Sequence, residues 1–161
     1  MSKHKVYLSL GTNLGDRFDN LNAAIARLKI FCNVICCSSI YETDPWGFED
    51  QSAFFNQVVR VETGNEPLSL LHKIKKIEEE MGRVPTFKYG PRLIDIDILL
   101  YDGLIMKTDE LEIPHPQMKI RAFVLAPLAE IDPKLIIPGD KSDIETLLHK
   151  TGTKGIRKVQ D

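Results

Sequence analysis

Two carboxylates, Asp95 and Asp97, occupy alternate positions inside the most apolar run of the chain, residues 93–101. The run is short, rich in Ile and Leu and bounded by turn residues, which predicts a β-strand. Residues two apart on a strand point to the same face, so the two carboxylates share a face about 6.6 Å apart along the backbone. Two like charges are costly there unless a cation lies between them. The spacing predicts a magnesium site, because Mg²⁺ takes carboxylate oxygens and often shares them with phosphates.

A basic loop precedes this predicted strand. Arg83, Lys88 and Arg92 lie close together, and cations beside paired carboxylates are what a site for a metal and a polyphosphate requires. A structural alternative is that one aspartate pairs with Arg92 or a lysine, the other faces solvent, and Arg83 complements a helix dipole. Glu78, one helical turn earlier, is a nucleotide contact or a solvated helix residue, and taken alone it favours the second interpretation.

A second group of candidates combines aromatic rings with an amide. Phe54 and Asn56 share one face of a predicted strand, while Phe55 points to the other face and is interpreted as core. A ring beside an amide on a sheet suits a flat polar heterocycle, because the ring stacks and the amide reads its edge. Trp46, in a loop with Pro and Gly, is either core or an exposed lid.

Two further motifs leave their roles open. Residues 11–15 lie between a predicted strand and a predicted helix, but they match neither the Walker pattern nor G-x-G-x-x-G, so we interpret them as a turn and a helix cap. His115 lies between two prolines, and an isolated histidine is more often structural than catalytic. Arg121, which could pair with an acid on its own helix, and Phe123 follow within nine residues.

Hydrophobic periodicity predicts the order βαββαβ for the first hundred residues. The predicted strands cover 5–10, 34–41, 55–62 and 93–101, and the predicted helices cover 17–29 and 67–81. This order indicates an α+β fold, a ferredoxin-like sandwich of mainly antiparallel sheet with helices packed on its faces. The C-terminal additions are a hairpin over 104–113, a helix over 120–130 and a last helix with Ser142 as N-cap and Glu145 completing a capping box. Residues 151–161 carry no pattern that would anchor them.

Size and charge narrow the classes of function. The 161 residues predict a single domain over 1–161, and a net charge of −2 gives no reason to expect a nucleic-acid partner. No apolar run is long enough to span a membrane. Cys32, Cys36 and Cys37 have neither disulfide nor zinc spacing, which indicates free thiols in a reducing cytoplasm. The sequence leaves the oligomeric state open, a monomer included.

Taken together, the motifs resemble those of the 6-hydroxymethyl-7,8-dihydropterin pyrophosphokinases, a family of folate biosynthesis. The resemblance runs nearly from end to end. It rests on LGTNLGD at 10–16, YET at 41–43, FFN at 54–56, GR at 82–83, GPRLIDIDILL at 90–100, PHP at 114–116 and RAFVL at 121–125.

The resemblance implies transfer of the β,γ-pyrophosphoryl group of ATP to the hydroxymethyl oxygen of the pterin, with release of AMP. It implies that Asp95 and Asp97 hold two magnesium ions. By the same likeness, the catalytic residues are Arg83, Lys88, Arg92, Asp95 and Asp97. The ATP contacts are Glu78, Arg92, Ile98, His115 and Arg121, and the pterin contacts are Thr43, Asp44, Trp46, Phe54, Asn56, Asp95 and Phe123.

The chain departs from the family pattern mainly in the basic loop. Pro85 and Tyr89 stand where relatives commonly carry an Arg and a Trp, so Lys88 is expected to take more of the phosphate contact. A different class of function is a non-catalytic module that binds pterin, which would explain the aromatic and amide residues but not Asp95, Asp97 and Arg92 together. A third hypothesis is that the chain works in complex with a neighbouring folate enzyme.

Overall fold

A computed structural model describes residues 3–44, 50–82 and 91–159 of the chain. Its helices are α1 (Arg17–Leu28), α2 (Pro67–Glu80), α3 (Ala122–Ile131) and α4 (Ile144–Thr151), with a 3₁₀ helix at Met118–Ile120. Its strands are β1 (His4–Thr12), β2 (Asn33–Cys37), β3 (Tyr41–Thr43), β4 (Phe54–Thr63), β5 (Asp95–Tyr101), β6 (Met106–Lys107), β7 (Glu112–Ile113) and β8 (Ile156–Lys158). None of the described helices is long and apolar enough to cross a bilayer.

An antiparallel sheet of six strands organises the described residues. Its order is β5-β1-β4-β3-β8, and β2 pairs with β4 beside β3. Strands β6 and β7 form a separate small hairpin, as the sequence predicts for 104–113. Helices pack on both faces of the sheet, so the observed architecture is a mixed α/β fold with an antiparallel sheet between two helical layers.

The face against α1 and α2 is a continuous apolar core. Helix α1 begins where the side chain of Asp16 accepts a hydrogen bond from the backbone N–H of Asp19, and α2 begins at Pro67, which suits a first turn. Both helices present apolar stripes at helical spacing to the sheet, as their sequences predict. The fully buried members of this core include Val6, Leu8, Leu10, Leu21, Leu28, Leu70 and Ile94.

The opposite face is covered over only part of its area. Helix α3 packs Val124, Leu125 and Leu128 against the sheet around Tyr7 and Leu99. Further along the strands, towards the C-terminal end of β1, this face is lined by polar and small residues instead of core residues. The uncovered part of the sheet is the floor of a cavity.

The strand predicted over 34–41 is two strands, because Ser38 interrupts the run. The Ser38 backbone N–H donates to the carbonyl of Val58, and its hydroxyl accepts from the Val58 N–H. The chain then continues into β3, where the hydroxyl of Tyr41 and the backbone N–H of Ser39 both donate to the Glu130 carboxylate on α3. These contacts are distant in sequence, which is why strand propensity alone misses the interruption.

Three predictions for the C-terminal region are wrong in detail. Helix α4 is capped by Asp143, whose side chain accepts from the Thr146 N–H, and not by Ser142. Of the segment predicted to lack an anchor, residues 151–159 are better anchored than their sequence suggests, since β8 pairs with β3. The helix predicted over 120–130 is also divided, into the 3₁₀ turn and α3, with Arg121 between them.

Candidate functional site

A cavity of about 600 Å³ opens on the uncovered part of the sheet. Strands β5, β1 and β4 form its floor, the 3₁₀ turn and the start of α3 form one wall, and the segment after α4 forms another. The residues around it are Ser9, Gly11, Thr43, Asp44, Phe54, Asn56, Arg92, Asp95, Asp97, Gln117, Ile120, Arg121, Ala122, Phe123, Thr151, Gly152, Lys154, Gly155 and Ile156.

Three residues form a row across the cavity floor. Gly11 on the central strand is the register partner of both Asp95 on β5 and Asn56 on β4. Neighbouring strands lie about 4.8 Å apart, so the carboxylate and the amide flank a gap of about 10 Å. A Cβ at Gly11 would come within 3.1 Å of Asn56 Oδ1 and 3.9 Å of the Phe54 ring. Glycine therefore keeps the floor between the two polar groups low enough for a flat ligand.

The two carboxylates lie on the same face of β5, as the alternation predicts. Asp95 and Asp97 both line the cavity, whereas Ile96 and Ile98 are buried in the core on the other face. The Asp97 side chain is 38% exposed, and its register partner on β1 is Ser9. The carboxylates are therefore open to a ligand in the cavity rather than buried within the protein.

The amide and the aromatic rings also meet at this cavity. Asn56 is buried, and its Nδ2 donates to the Thr43 hydroxyl over 2.7 Å, which fixes how the amide is turned. Phe54 and Phe123 are half-buried and line the cavity, from β4 and from α3. Phe55 is a core residue, as predicted. Its ring packs edge-on against that of Phe18.

Arg92 is positioned through Asn13, a residue that sequence reasoning did not select. The Arg92 backbone N–H donates to Asn13 Oδ1 over 2.7 Å, and the Asn13 N–H donates to the Arg92 carbonyl over 2.9 Å. The Asn13 amide is itself held by the Gln51 side chain and the Ser52 carbonyl. The segment predicted as a turn over 11–15 is in part strand, since β1 continues to Thr12, and Asn13 fixes the backbone that carries Arg92.

His115 lies near Asp97, and Arg121 lines the same cavity as the carboxylates. The backbone N–H of Gln117 donates to Nδ1 of His115, so the neutral ring carries its proton on Nε2, which lies 4.0 Å from Asp97 Oδ2. Burial, and then the Arg121 charge, lower the pKa of His115 below its usual value. Arg121 contacts the Gln117 side chain, not an acid on α3, and its guanidinium lies 5.4 Å from the centre of the Phe123 ring. His115 is therefore an uncharged donor near neutral pH.

Glu78 is not a solvated helix residue. It is buried, and its Oε2 accepts a hydrogen bond of 2.9 Å from the backbone N–H of Ile96, between the two aspartates. A buried carboxylate at that point links α2 to the strand that carries the acidic pair. The sequence does not reveal this, because Glu78 follows the apolar stripe of α2 directly and its burial depends on the packing of that helix.

Several predicted site residues lie outside the described residues, so their roles remain predictions. They are Trp46, Arg83 and Lys88, together with Pro85 and Tyr89 of the basic loop. The Ile98 side chain is buried away from the cavity, so its contact with ATP also stays a prediction. Ser9, Gly11 and Gln117 line the cavity but were not among the predicted residues, because small and amide side chains carry no distinctive pattern.

The acidic pair on β5 is the candidate metal site of the cavity. No three His, Cys, Asp or Glu side chains within 3–44, 50–82 and 91–159 form a cluster that could hold a metal. Two carboxylates facing an open cavity do fit Mg²⁺, which usually binds one or two protein carboxylates and takes its other ligands from water and substrate phosphates. Asp95 and Asp97 supply that kind of donor set.

Comparison with known proteins identifies the family of the chain. The model of the family "7,8-dihydro-6-hydroxymethylpterin-pyrophosphokinase (HPPK)" matches residues 7–133, so the chain belongs to this family. A 2-amino-4-hydroxy-6-hydroxymethyldihydropteridine pyrophosphokinase of Aquifex aeolicus is 47% identical over 133 residues, 83% of this chain and 83% of that protein. The folic acid synthesis protein FOL1 of Dictyostelium discoideum is 50% identical over 133 residues, and the match spans 83% of this chain but 20% of that protein.

The fold is also found in solved structures. A crystal structure of the Plasmodium falciparum HPPK-DHPS triple mutant superposes with a TM-score of 0.77 at 21% identity, covering 92% of this chain and 43% of that chain. A second HPPK-DHPS structure, in complex with substrates, gives a TM-score of 0.76 at 19% identity. At this identity the likeness establishes the fold, and the chain spans less than half of each of these two proteins.

Proposed function

We propose that the protein transfers pyrophosphate from ATP to the hydroxymethyl group of 6-hydroxymethyl-7,8-dihydropterin, giving AMP and the pterin diphosphate in folate biosynthesis. Membership of the pyrophosphokinase family supports the reaction. The observation that carries the assignment to this cavity is the row Asp95-Gly11-Asn56, which sets a carboxylate and a buried amide on either side of a bare strand. The cavity is large enough for substrates of this size.

The pterin binds at the Asn56 end of the row. The Asn56 amide, oriented by Thr43, reads the polar edge of the heterocycle, and the Phe54 and Phe123 rings stack on its faces. The hydroxymethyl group then points along the floor towards Asp95. Asp44 and Trp46 complete this pterin subsite by their likeness to the family.

The triphosphate binds at the Asp95 and Asp97 end, with ATP as co-substrate. Arg92 and Arg121 contact its phosphates, because guanidinium groups match phosphate oxygens and both line the cavity. His115 donates from Nε2 as a neutral ring, consistent with its lowered pKa. Glu78 and Ile98 contact the nucleotide from the β5 side, and Arg83 and Lys88 reach the phosphates from their loop.

Magnesium is the proposed cofactor, as two ions held by Asp95 and Asp97. When bound, the ions neutralise phosphate charge and polarise the group to be transferred. The chain itself contributes orientation: the rings and the amide fix the pterin, and the guanidinium groups fix the triphosphate. Transfer of this kind depends on positioning and electrostatics more than on covalent chemistry by the protein.

We also propose that the protein has a ferredoxin-like fold, forms a single domain and acts in the cytoplasm. The order β5-β1-β4 followed by β2 and β3, all antiparallel, with α1 and α2 on one face, supports a ferredoxin-like core. Residues 1–161 form one pyrophosphokinase domain. The protein acts in the cytoplasm on small molecules, in keeping with its three free thiols.

A product assay tests the reaction directly. The protein is incubated with ATP, Mg²⁺ and 6-hydroxymethyl-7,8-dihydropterin, and the nucleotides are separated by chromatography. AMP should accumulate in step with the pterin diphosphate, and omission of the pterin should suppress both. Formation of ADP in place of AMP, or no turnover, would overturn the proposal.

A further inference from the structure

The C-terminal segment after α4 forms one wall of the cavity. Gly152, Lys154, Gly155 and Ile156 line the same cavity as Thr43 and Asp44. Strand β8, which continues this segment, pairs with β3 at the edge of the sheet. The family match ends at residue 133, so this wall is built by a part of the chain beyond the matched region.

Arg157 on β8 connects this wall to the pterin subsite. It lies directly opposite Glu42 in the β3-β8 register. Its Nε and Nη2 lie 2.9 and 2.8 Å from Glu42 Oε1, and its Nη1 lies 3.2 Å from Asp44 Oδ1. A guanidinium group that bridges two carboxylates fixes both of them more firmly than the point charge of an ammonium group would.

The two carboxylates are restrained from other sides as well. Glu42 Oε2 accepts from Nη1 of Arg17 over 3.1 Å, and that Arg17 nitrogen also donates to the Ala53 carbonyl. The Asp44 backbone N–H donates to the Gly155 carbonyl over 3.1 Å. Arg157 therefore completes a network that fixes the backbone just after Thr43, the residue whose hydroxyl orients the Asn56 amide.

We propose that Arg157 is a positioning residue for the pterin subsite, acting through Glu42 and Asp44 on the end of β3. It does not face the row on the floor, and it contacts no predicted phosphate ligand among the described residues. Its loss should loosen the Thr43–Asp44 backbone and leave the Asp95 end unchanged. The inference rests on the proposed function, since it assigns this end of the cavity to the pterin.

The test compares Arg157→Met with Lys158→Met. The Lys158 ammonium lies 3.8 Å from Glu130 and over the Tyr41 ring, and no contact joins it to Asp44 among the described residues, so the control removes a charge from the same strand. For Arg157→Met we expect KM for the pterin to rise about fivefold, the factor expected for one exposed charge-assisted link. KM for ATP and kcat should stay within about twofold of wild type, and Lys158→Met should change neither KM beyond that limit.

Two further variants make the test specific. Arg157→Lys keeps the positive charge but loses the bridging guanidinium group. Its KM for the pterin should lie between those of wild type and Arg157→Met. Asp44→Ala should raise that KM as well, and adding Arg157→Met to it should raise KM by a smaller factor than Arg157→Met does alone, because one of the two carboxylates through which Arg157 acts is already absent. If Arg157→Met proves unstable in thermal unfolding, Arg157→Lys carries the same comparison.

The outcomes separate this inference from the proposed function. A wild-type protein that forms no AMP overturns the proposed function. A wild-type protein that forms AMP, with Arg157→Met and Lys158→Met equal in KM for the pterin, overturns the role of Arg157 alone. Equal increases in KM for the pterin and for ATP would also overturn it, because they indicate a general structural effect.

Discussion

Strand β5 has two faces that serve different purposes. On one face Ile96 and Ile98 pack into the core with α1 and α2, and each is almost fully buried. On the other face Asp95 and Asp97 line an open cavity, because α3 and α4 cover only part of the sheet. The difference shows that alternation along one short strand places apolar side chains in the core and carboxylates in a cavity, and that the cavity lies where α3 and α4 leave the sheet uncovered.

The largest effect is expected when a carboxylate is removed from the open face of β5, the face of Asp95 and Asp97. We expect Asp97→Ala to reduce turnover by about a thousandfold or more, because the electrostatic stabilisation of the phosphate charge is lost. Stability should change little, since the side chain lies in the cavity and 38% of it is exposed.

Steady-state kinetics and thermal unfolding measure the two effects. Asp109→Ala is the matched control, because Asp109 is an exposed carboxylate in the loop between β6 and β7. Near-normal turnover in Asp97→Ala would contradict the role of the open face.

The reciprocal change removes an apolar side chain from the buried face. Ile96→Ala should lower the free energy of unfolding by about 3 kcal/mol, from lost burial and the cavity left behind. Turnover per folded molecule should fall far less than in Asp97→Ala. Denaturant unfolding monitored by circular dichroism gives the stability, and a loss below about 1 kcal/mol would show that this face is less tightly packed than its burial indicates.

Glu78 accepts a hydrogen bond from the β5 backbone between the two aspartates. Variants of Glu78 separate a structural role from a role in nucleotide binding. Glu78→Ala leaves the buried Ile96 N–H without its acceptor and should cost about 2 kcal/mol of stability. Glu78→Gln keeps an acceptor and should recover most of that loss. If Glu78→Gln is stable but KM for ATP still rises, the carboxylate also contacts the nucleotide; if KM is unchanged, its role is structural.

A smaller effect is expected from narrowing the cavity floor. Gly11→Ala places a methyl group 3.1 Å from Asn56 Oδ1, so the amide must shift by a few tenths of an ångström. KM for the pterin should rise about tenfold, an energetic change of about 1.4 kcal/mol, with KM for ATP nearly constant. The split between the two KM values is the readout, and an unchanged KM for the pterin would place the heterocycle elsewhere.

The smallest predicted effect concerns Asp140, whose carboxylate lies 2.9 Å from the Lys119 ammonium. Backbone donation from Ser142, then the Lys119 ammonium, lowers the pKa of Asp140 to about 2. Because the folded pKa lies below the unfolded value of 3.8, Asp140 stabilises the fold above about pH 4 and loses this effect as pH falls towards 2. Acid unfolding of Asp140→Asn should therefore differ from wild type near pH 5 and converge with it near pH 2.

The sequence predicted the elements whose patterns are local. The apolar stripes of α1 and α2 and the alternation in β5 were sufficient, since burial in these elements follows their own periodicity. The predictions were wrong where contacts between residues far apart in the chain determine the structure. Ser38 breaks a strand through bonds to Val58, and β8 has only three residues and is ordered by pairing with β3.

The candidate site divides in the same way. Charged residues at distinctive spacing, Asp95, Asp97 and Arg92, were selected from the sequence and line one cavity. Gly11 and Asn13 were interpreted only as a turn, because their roles depend on which strands and loops lie beside them. Arg157 could not be linked to the site at all before the pairing of its strand was known.

The central claim, that the Asp95 and Asp97 face binds a magnesium-bound triphosphate, is tested most directly by calorimetry with a non-hydrolysable ATP analogue. Wild-type protein should bind the analogue with Mg²⁺ and lose most of that affinity in EDTA. The double variant Asp95→Asn, Asp97→Asn should bind weakly and with equal affinity in both conditions. Tight binding by the double variant that still depends on Mg²⁺ would contradict the account.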